Sequence, residues 1–201
     1  MLENLHEATR EPEDPGLREI YASLPRLPLT IVAPKMGKAI NQGGILRNAE
    51  AFRVENVIFE PEDDQAEEFS GGIGIWDYQS FCFANIVETL RDLRSEGRKI
   101  YGLTLNSRAR SLENTTWDFP AVLVLGEERA GLRPELESLC DEFVAIPLYG
   151  MITSLNVAVA SGLALQNVAS EYARINPEFL PARRVSKNLI NSSLMLDKPN
   201  S

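Results

Sequence analysis

Ala121-Val122-Leu123-Val124-Leu125-Gly126 is the stretch that decides the fold class of this chain. A short, unbroken apolar run stopped by a glycine reads as a buried strand. Downstream, Arg133-Pro134 opens a short helix that ends near Cys140, since proline is tolerated in a first helical turn. Phe143-Val144-Ala145-Ile146 is a further strand, stopped by Pro147. Residues 155–173 carry the longest helical pattern, and its small residues Ala158, Ala160, Ser161, Gly162 and Ala164 would let another backbone approach closely. Upstream, residues 29–33 read as a strand, 44–52 as a helix, 56–59 as a strand and 99–105 as a strand. Between the last two lies a helix capped by Asn85, with Glu88 three residues on and Ile86, Leu90 and Leu93 in helical spacing up to Gly97. Strands alternating with helices, without a repeat, predict an α/β domain with a mostly parallel sheet. In such sheets ligands bind where loops leave the carboxyl ends of the strands.

The chain has 201 residues, 44% hydrophobic and 24% charged, enough for one domain with a sizeable core and an arm at each end. Residues 1–28, with Pro12, Pro15, Pro25 and Pro28, read as an N-terminal arm; 29–173 as the domain; 174–201 as a basic tail. The tail sets Arg174, Arg183, Arg184, Lys187 and Lys198 against only Glu178 and Asp197. The net charge of −9 argues against a non-specific nucleic-acid binder, because phosphate binding needs cations. The acidity is uneven, however, with Glu60, Glu62, Asp63, Asp64, Glu67 and Glu68 crowded together, so a local basic surface remains open. No apolar stretch approaches the roughly 20 residues of a membrane span, and the acidic start does not resemble a secretory signal. A cytoplasmic protein away from membranes is expected. Cys82 and Cys140 read as reduced core residues, with no metal site and no disulfide.

Three loops following predicted strands could carry chemistry. In the first, residues 33–48, Asn41 and the glycines around it could present backbone amides to an anion, with Arg47 reaching back to a phosphate. Judged alone, the loop favours the ordinary reading, a capped helix with a solvated arginine. In the second, residues 125–132, Gly126 permits close approach of a flat ligand and Glu128 could accept donors or a proton. An acidic first helical turn is the alternative. In the third, residues 146–156, Ser154 could cap the long helix, leaving Asn156 in its first turn, where a side-chain amide costs propensity. That conflict hints at a ligand. His6 is the only histidine, so Ser154 has no Ser-His-Asp triad available. Gly71-Gly72-Ile73-Gly74 lacks dinucleotide spacing and no Walker lysine motif exists. Trp76, Tyr78, Phe81 and Phe83 read as core or interface aromatics, with base stacking as the alternative.

Taken together, the loops resemble a known family. Asn41-x-Gly43-x-x-x-Arg47 followed by Ala49-Glu50-Ala51-Phe52 is similar to the first motif of the SpoU/TrmH family of RNA 2′-O-ribose methyltransferases. Leu123-Val124-Leu125-Gly126-x-Glu128-x-x-Gly131-Leu132 resembles the second. Ile146-Pro147-Leu148-x-Gly150-x-x-x-Ser154-Leu155-Asn156-Val157-x-Val159-Ala160 resembles the third and is the most specific. Two positions depart: Arg53 stands where the family usually has Gly, and Glu127 where Asn or Ser is common.

The resemblance implies a SPOUT-type parallel sheet flanked by helices with a C-terminal trefoil knot. It also implies S-adenosyl-L-methionine as cofactor, a homodimer, and structured RNA (tRNA or rRNA), not DNA, as substrate. The long small-residue helix would supply part of the dimer contact. Cofactor-binding positions carry over to Leu125, Gly126, Ile146, Leu148, Leu155 and Asn156. Catalytic positions carry over to Arg47, Asn41, Glu128, Ser154 and Asn156, and no metal is implied. Arg47 stands either as activator of the ribose hydroxyl or as phosphate anchor and alkoxide stabiliser; a guanidinium protonated at pH 7 favours the second. Arg108, Arg110 and the tail could meet RNA or simply be solvated. The alternative to an enzyme is a non-catalytic SPOUT-like dimer that binds RNA or a metabolite.

Overall fold

The computed structural model describes residues 24–61, 78–127 and 131–179. Most of the arm with His6, the acidic residues from Glu62 to Glu68, Gly71-Gly72-Ile73-Gly74, Trp76, Glu128, and the tail cations Arg183, Arg184, Lys187 and Lys198 lie outside the described residues. The elements run β1 (Leu27–Ala33), α1 (Ala39–Ala51), β2 (Val54–Phe59), β3 (Phe81–Phe83), α2 (Ile86–Ser95), β4 (Lys99–Leu103) and β5 (Arg110–Ser111). A 3-10 turn (Leu112–Asn114), β6 (Ala121–Leu125), α3 (Pro134–Glu137), β7 (Glu142–Ala145) and α4 (Val157–Ile175) follow. The strands form one seven-stranded sheet in the order β3-β2-β1-β6-β4-β7-β5. Every ladder is parallel, as the alternation of strands and helices predicts. Among the described residues no helix is long and apolar enough to cross a membrane.

β6 is central because its sequence is apolar on both faces. It lies between β1 and β4, with Leu123 paired to Ile31 and to Tyr101. Ala121, Leu123 and Leu125 join the core under α1 and α4, whereas Val122 and Val124 join a second core with Ile86 and Leu90 of α2. Helices therefore cover both faces of the sheet.

α1 begins at Ala39 rather than residue 44, so Gly43 and Gly44 lie inside a helix. Each costs roughly 0.5–1 kcal/mol against alanine. Burying Ile45 and Leu46 outweighs that cost, at about 1.5–3 kcal/mol each. The reason for Gly44 is α4: a Cβ there would stand 2.8 Å from the Cβ of Ala158. Gly162 is similarly placed, its missing Cβ 3.2 Å from Asn48 Nδ2. Part of the small-residue stripe of α4 thus serves packing within the chain.

Three readings are corrected. The cap of α4 is Asn156, not Ser154: its side chain accepts from the backbone N–H of Ala158 at 3.0 Å and Val159 at 3.3 Å. Asn156 therefore stands just outside the helix, and the propensity conflict inferred for it disappears. Cys82 is exposed, because it is the middle residue of edge strand β3 and points away from Phe81 and Phe83, which pack on the core. Cys140 is half-buried. Two strands were missed, β3 and β5, which have three and two residues and too little sequence to show a period. The helix capped by Asn85 is as predicted, the side chain accepting from Val87 N–H and Glu88 N–H.

The departure at Arg53 has a backbone consequence. Arg53 follows α1 with φ 51°, in the left-handed region where glycine is unstrained. Its side chain is 95% buried in effect, only 5% of the residue being exposed, and its guanidinium carbon lies 4.4 Å from the Phe179 ring centroid. A cation–π contact thus accompanies the strain.

Candidate functional site

Parallel pairing brings the C-terminal ends of β1, β6 and β7 to one rim of the sheet, so the three candidate loops start from that rim. Asn41, in the first turn of α1, is buried with 3% exposure. Its Oδ1 accepts a 2.9 Å hydrogen bond from Nδ2 of Asn156. The first and third loops, 115 residues apart in sequence, are thereby joined side chain to side chain. Asn156 uses its oxygen to cap α4 and its nitrogen to hold Asn41. One residue fixes both the start of a helix and the meeting of two loops.

The second loop closes on itself. Glu127 N–H donates to Gly131 O at 2.8 Å and Gly131 N–H donates back to Glu127 O at 3.1 Å. Gly131 turns with φ 68°, and a Cβ on Gly126 would lie 3.0 Å from the Gly131 carbonyl carbon. The space that Gly126 leaves open is filled by its own chain, so its absent side chain first serves loop closure.

An ion-pair cluster that the sequence did not reveal braces this rim. Glu60, the residue after β2, accepts from Lys35 N–H at 3.1 Å and from Arg133 Nη2 at 2.8 and 2.9 Å. Those bonds hold the Arg133 guanidinium above its ordinary pKa. Arg133 Nε is buried, 3.5 Å from Glu127 and 3.4 Å from Glu135, near enough for attraction but outside hydrogen-bond geometry. Glu60 had been hidden among the acidic residues that follow it. Arg133 stood out only as the residue before the helix-opening proline.

A cleft of about 470 Å³ opens at the carboxyl end of β7, lined by Leu105, Ser111, Ala145, Ile146, Pro147, Leu148, Ile152 and Thr153. Its volume lies in the range of small-molecule sites and its wall is largely apolar, while its mouth is open to solvent. Ile146 and Leu148 are in the wall. Leu125 is wholly buried in the core, while Gly126, Leu155 and Asn156 lie outside the wall. Arg47 and Ser154 are exposed, and Glu128 is outside the described residues. In the same loop, Tyr149 and Met151 outside the wall are 91% and 99% exposed, and Ile152 in the wall is 60% exposed. Among the described residues no group of acidic, cysteine or histidine side chains is arranged to hold a metal. Arg108 pairs with Glu137 at 2.9 Å and lies over the Phe143 ring, and Arg110 is 3.7 Å from Glu142. These arginines are engaged by the protein itself.

With sheet, loops and cleft in place, the comparisons agree on one family. Residues 28–166 match the model of the SpoU rRNA Methylase family, and the chain belongs to that family. It is 32% identical over 156 residues to a 23S rRNA (guanosine-2′-O-)-methyltransferase of Nitrosomonas europaea, covering 74% of this chain and 58% of that protein. It is 31% identical over 140 residues to a tRNA (guanosine(18)-2′-O)-methyltransferase of Thermus thermophilus, covering 68% of this chain and 72% of that protein. The AdoMet-bound rRNA methyltransferase structure from Sinorhizobium meliloti superposes with a TM-score of 0.64 at 25% identity, over 80% of this chain and 60% of that one. The chain thus spans less than two thirds of the Nitrosomonas relative's length.

Proposed function

We propose that this chain transfers a methyl group from S-adenosyl-L-methionine to a ribose 2′-hydroxyl of structured tRNA or rRNA. The observation that carries the reading is the Asn41–Asn156 hydrogen bond, which joins the first and third family loops, of which the third also lines the apolar cleft. The named activities of the Nitrosomonas and Thermus relatives and the cofactor of the Sinorhizobium structure support it. DNA is excluded as acceptor by the chemistry, since it lacks the 2′-oxygen. The reading includes a cytoplasmic location, where these RNAs reside.

The cleft suits the cofactor in size and in its apolar wall, which fits a flat adenine ring. Ile146 and Leu148, with backbone groups near Gly126 and Leu155, are the residues that would hold it. When bound, the cofactor supplies a sulfonium-activated methyl group. Arg47 anchors the target nucleotide's phosphate and stabilises negative charge growing on the attacking 2′-oxygen. That oxygen's proton passes to solvent as the oxygen–methyl bond forms and the sulfur–methyl bond breaks to leave a neutral thioether. Asn41 and Asn156 keep the first and third loops in register, and Glu128 and Ser154 orient substrate. Holding the oxygen in line with the methyl is worth on the order of 7–11 kcal/mol at best.

The proposal extends to a homodimer and to a C-terminal trefoil knot. For the dimer, α1 and α4, which pack on each other, leave Ile40, Val159 and Leu163 exposed at 66%, 53% and 47%. Exposed apolar side chains on two helices that pack together support an interaction surface there. For the knot, β7 is inserted between β4 and β5, two strands that are consecutive in sequence.

The test is methyl transfer from radiolabelled S-adenosyl-L-methionine to total RNA of cells lacking the protein, followed by ribose-methylation mapping. One or a few 2′-O-methyl positions in tRNA or rRNA are expected. Cofactor or RNA binding without transfer would instead establish the non-catalytic dimer.

A further inference from the structure

We infer that Asn48 is a positioning residue that sets where Arg47 stands relative to the third loop; this rests on the methyltransferase reading. Asn48 is the point at which α1 is pinned to α4. Its Nδ2 donates to the carbonyl of Ala158 at 2.6 Å and to Oγ of Ser161 at 3.0 Å. Ser161 Oγ in turn donates to the same Ala158 carbonyl at 2.8 Å, and Ser161 is wholly buried. The three groups form a closed triangle across the helix pair.

The surroundings leave Asn48 little freedom. Gly162 lies against it, so that a Cβ there would be 3.2 Å from Nδ2, and one turn earlier Gly44 meets Ala158. A side chain longer than asparagine has no room, and a shorter one cannot reach Ala158. The Ala158 peptide N–H is also the one that Asn156 caps. The triangle therefore grips the first turn of α4, which follows directly on Asn156, the third loop's last residue.

Arg47 is the neighbour of Asn48 on α1. Successive residues on a helix are about 100° apart, so fixing the rotation and height of Asn48 fixes those of Arg47. Asn41 holds α1 to the third loop and Asn48 holds it to α4, so the helix is fixed at two levels. A catalytic cation displaced by about 1 Å loses on the order of 100-fold in rate.

The test is a double-mutant cycle in the full chain, with RNA from cells lacking the protein as substrate. Asn48→Asp replaces the donating amide with a carboxylate facing the Ala158 carbonyl. It is expected to lower kcat about 100-fold, with cofactor Kd and RNA KM within about twofold. Arg47→Lys serves as the second background, and there Asn48→Asp is expected to cost less than about threefold, because it acts through Arg47. Gly162→Ala, which displaces Asn48 without deleting it, should give the same selective loss and stands in if Asn48→Asp does not fold. Equal losses in both backgrounds, or a kcat unchanged in the Arg47 background, would overturn the proposal. Failure of the unmutated chain to methylate any RNA would instead sink the parent reading, and this one with it.

Discussion

Asn156 holds Asn41 with one end of its amide and caps α4 with the other. The two functions can be separated by substitution. Asn41→Ala removes the bridge while leaving the cap of α4, and is expected to cost about 1 kcal/mol. Asn156→Ala removes bridge and cap together and is expected to cost about 2–3 kcal/mol. Urea unfolding of the two single variants and the double variant measures the difference. If Asn156→Ala adds nothing beyond Asn41→Ala, the cap is energetically idle.

Arg47→Ala is expected to reduce methyl transfer by about 100–1,000-fold, the range seen when a charge-stabilising donor is deleted. Cofactor affinity, measured by calorimetry, is expected to stay within about twofold. Lost cofactor binding in a folded variant would show that Arg47 belongs to the cofactor site.

Gly44→Ala tests helix packing against helix propensity. On an exposed helix the change would stabilise by about 1 kcal/mol. Here the new Cβ meets Ala158, and overpacking is expected to reverse the sign, with a net loss of about 1–3 kcal/mol. Adding Ala158→Gly should recover most of it in chemical denaturation.

Arg53→Gly and Arg53→Ala both lose the contact with Phe179, but only glycine relaxes the backbone. The glycine variant is expected to be more stable than the alanine variant by about 1 kcal/mol. Thermal melts of the pair at one pH isolate that strain.

Alkaline pH is expected to unfold the domain through two groups. Burial pushes the Cys140 thiol from 9.0 up to about 12 and the Tyr101 hydroxyl from 10.0 up to about 12. Both are neutral in the folded chain while the unfolded chain has already released its protons. Their stabilisation is therefore complete below pH 9 and declines between pH 9 and 12. Denaturant midpoints across that range should fall steadily. At pH 8 iodoacetamide is expected to label Cys82 well before Cys140.

What could be read from the sequence follows from how each element is stabilised. β6 was plain because both its faces are buried, and α2 because its cap and spacing agree. The start of α1 was not, since Gly43 and Gly44 argue locally against a helix and the reason for Gly44, its contact with α4, exists only in the fold. Ser154 looked like a better cap than Asn156 because nothing local distinguishes them; Asn41 does, from the far end of the domain. At the site, the loops were legible through their resemblance to the motifs of a known family, whereas Glu60 and Arg133 meet only through the fold. Pairings that exist only in three dimensions leave no local pattern to read.

The strand order also constrains how this protein comes into being on the ribosome. β1 and β4 share no ladder of their own; β6, made later, wedges between them, and β7 then wedges between β4 and β5. Until residue 125 has left the exit tunnel, the nascent chain has a three-stranded sheet, β3-β2-β1, open along β1, and a single strand β4 without a neighbour. Synthesis must outrun self-association over that interval, so slow codons or stalls before β6 would be paid for in aggregated product.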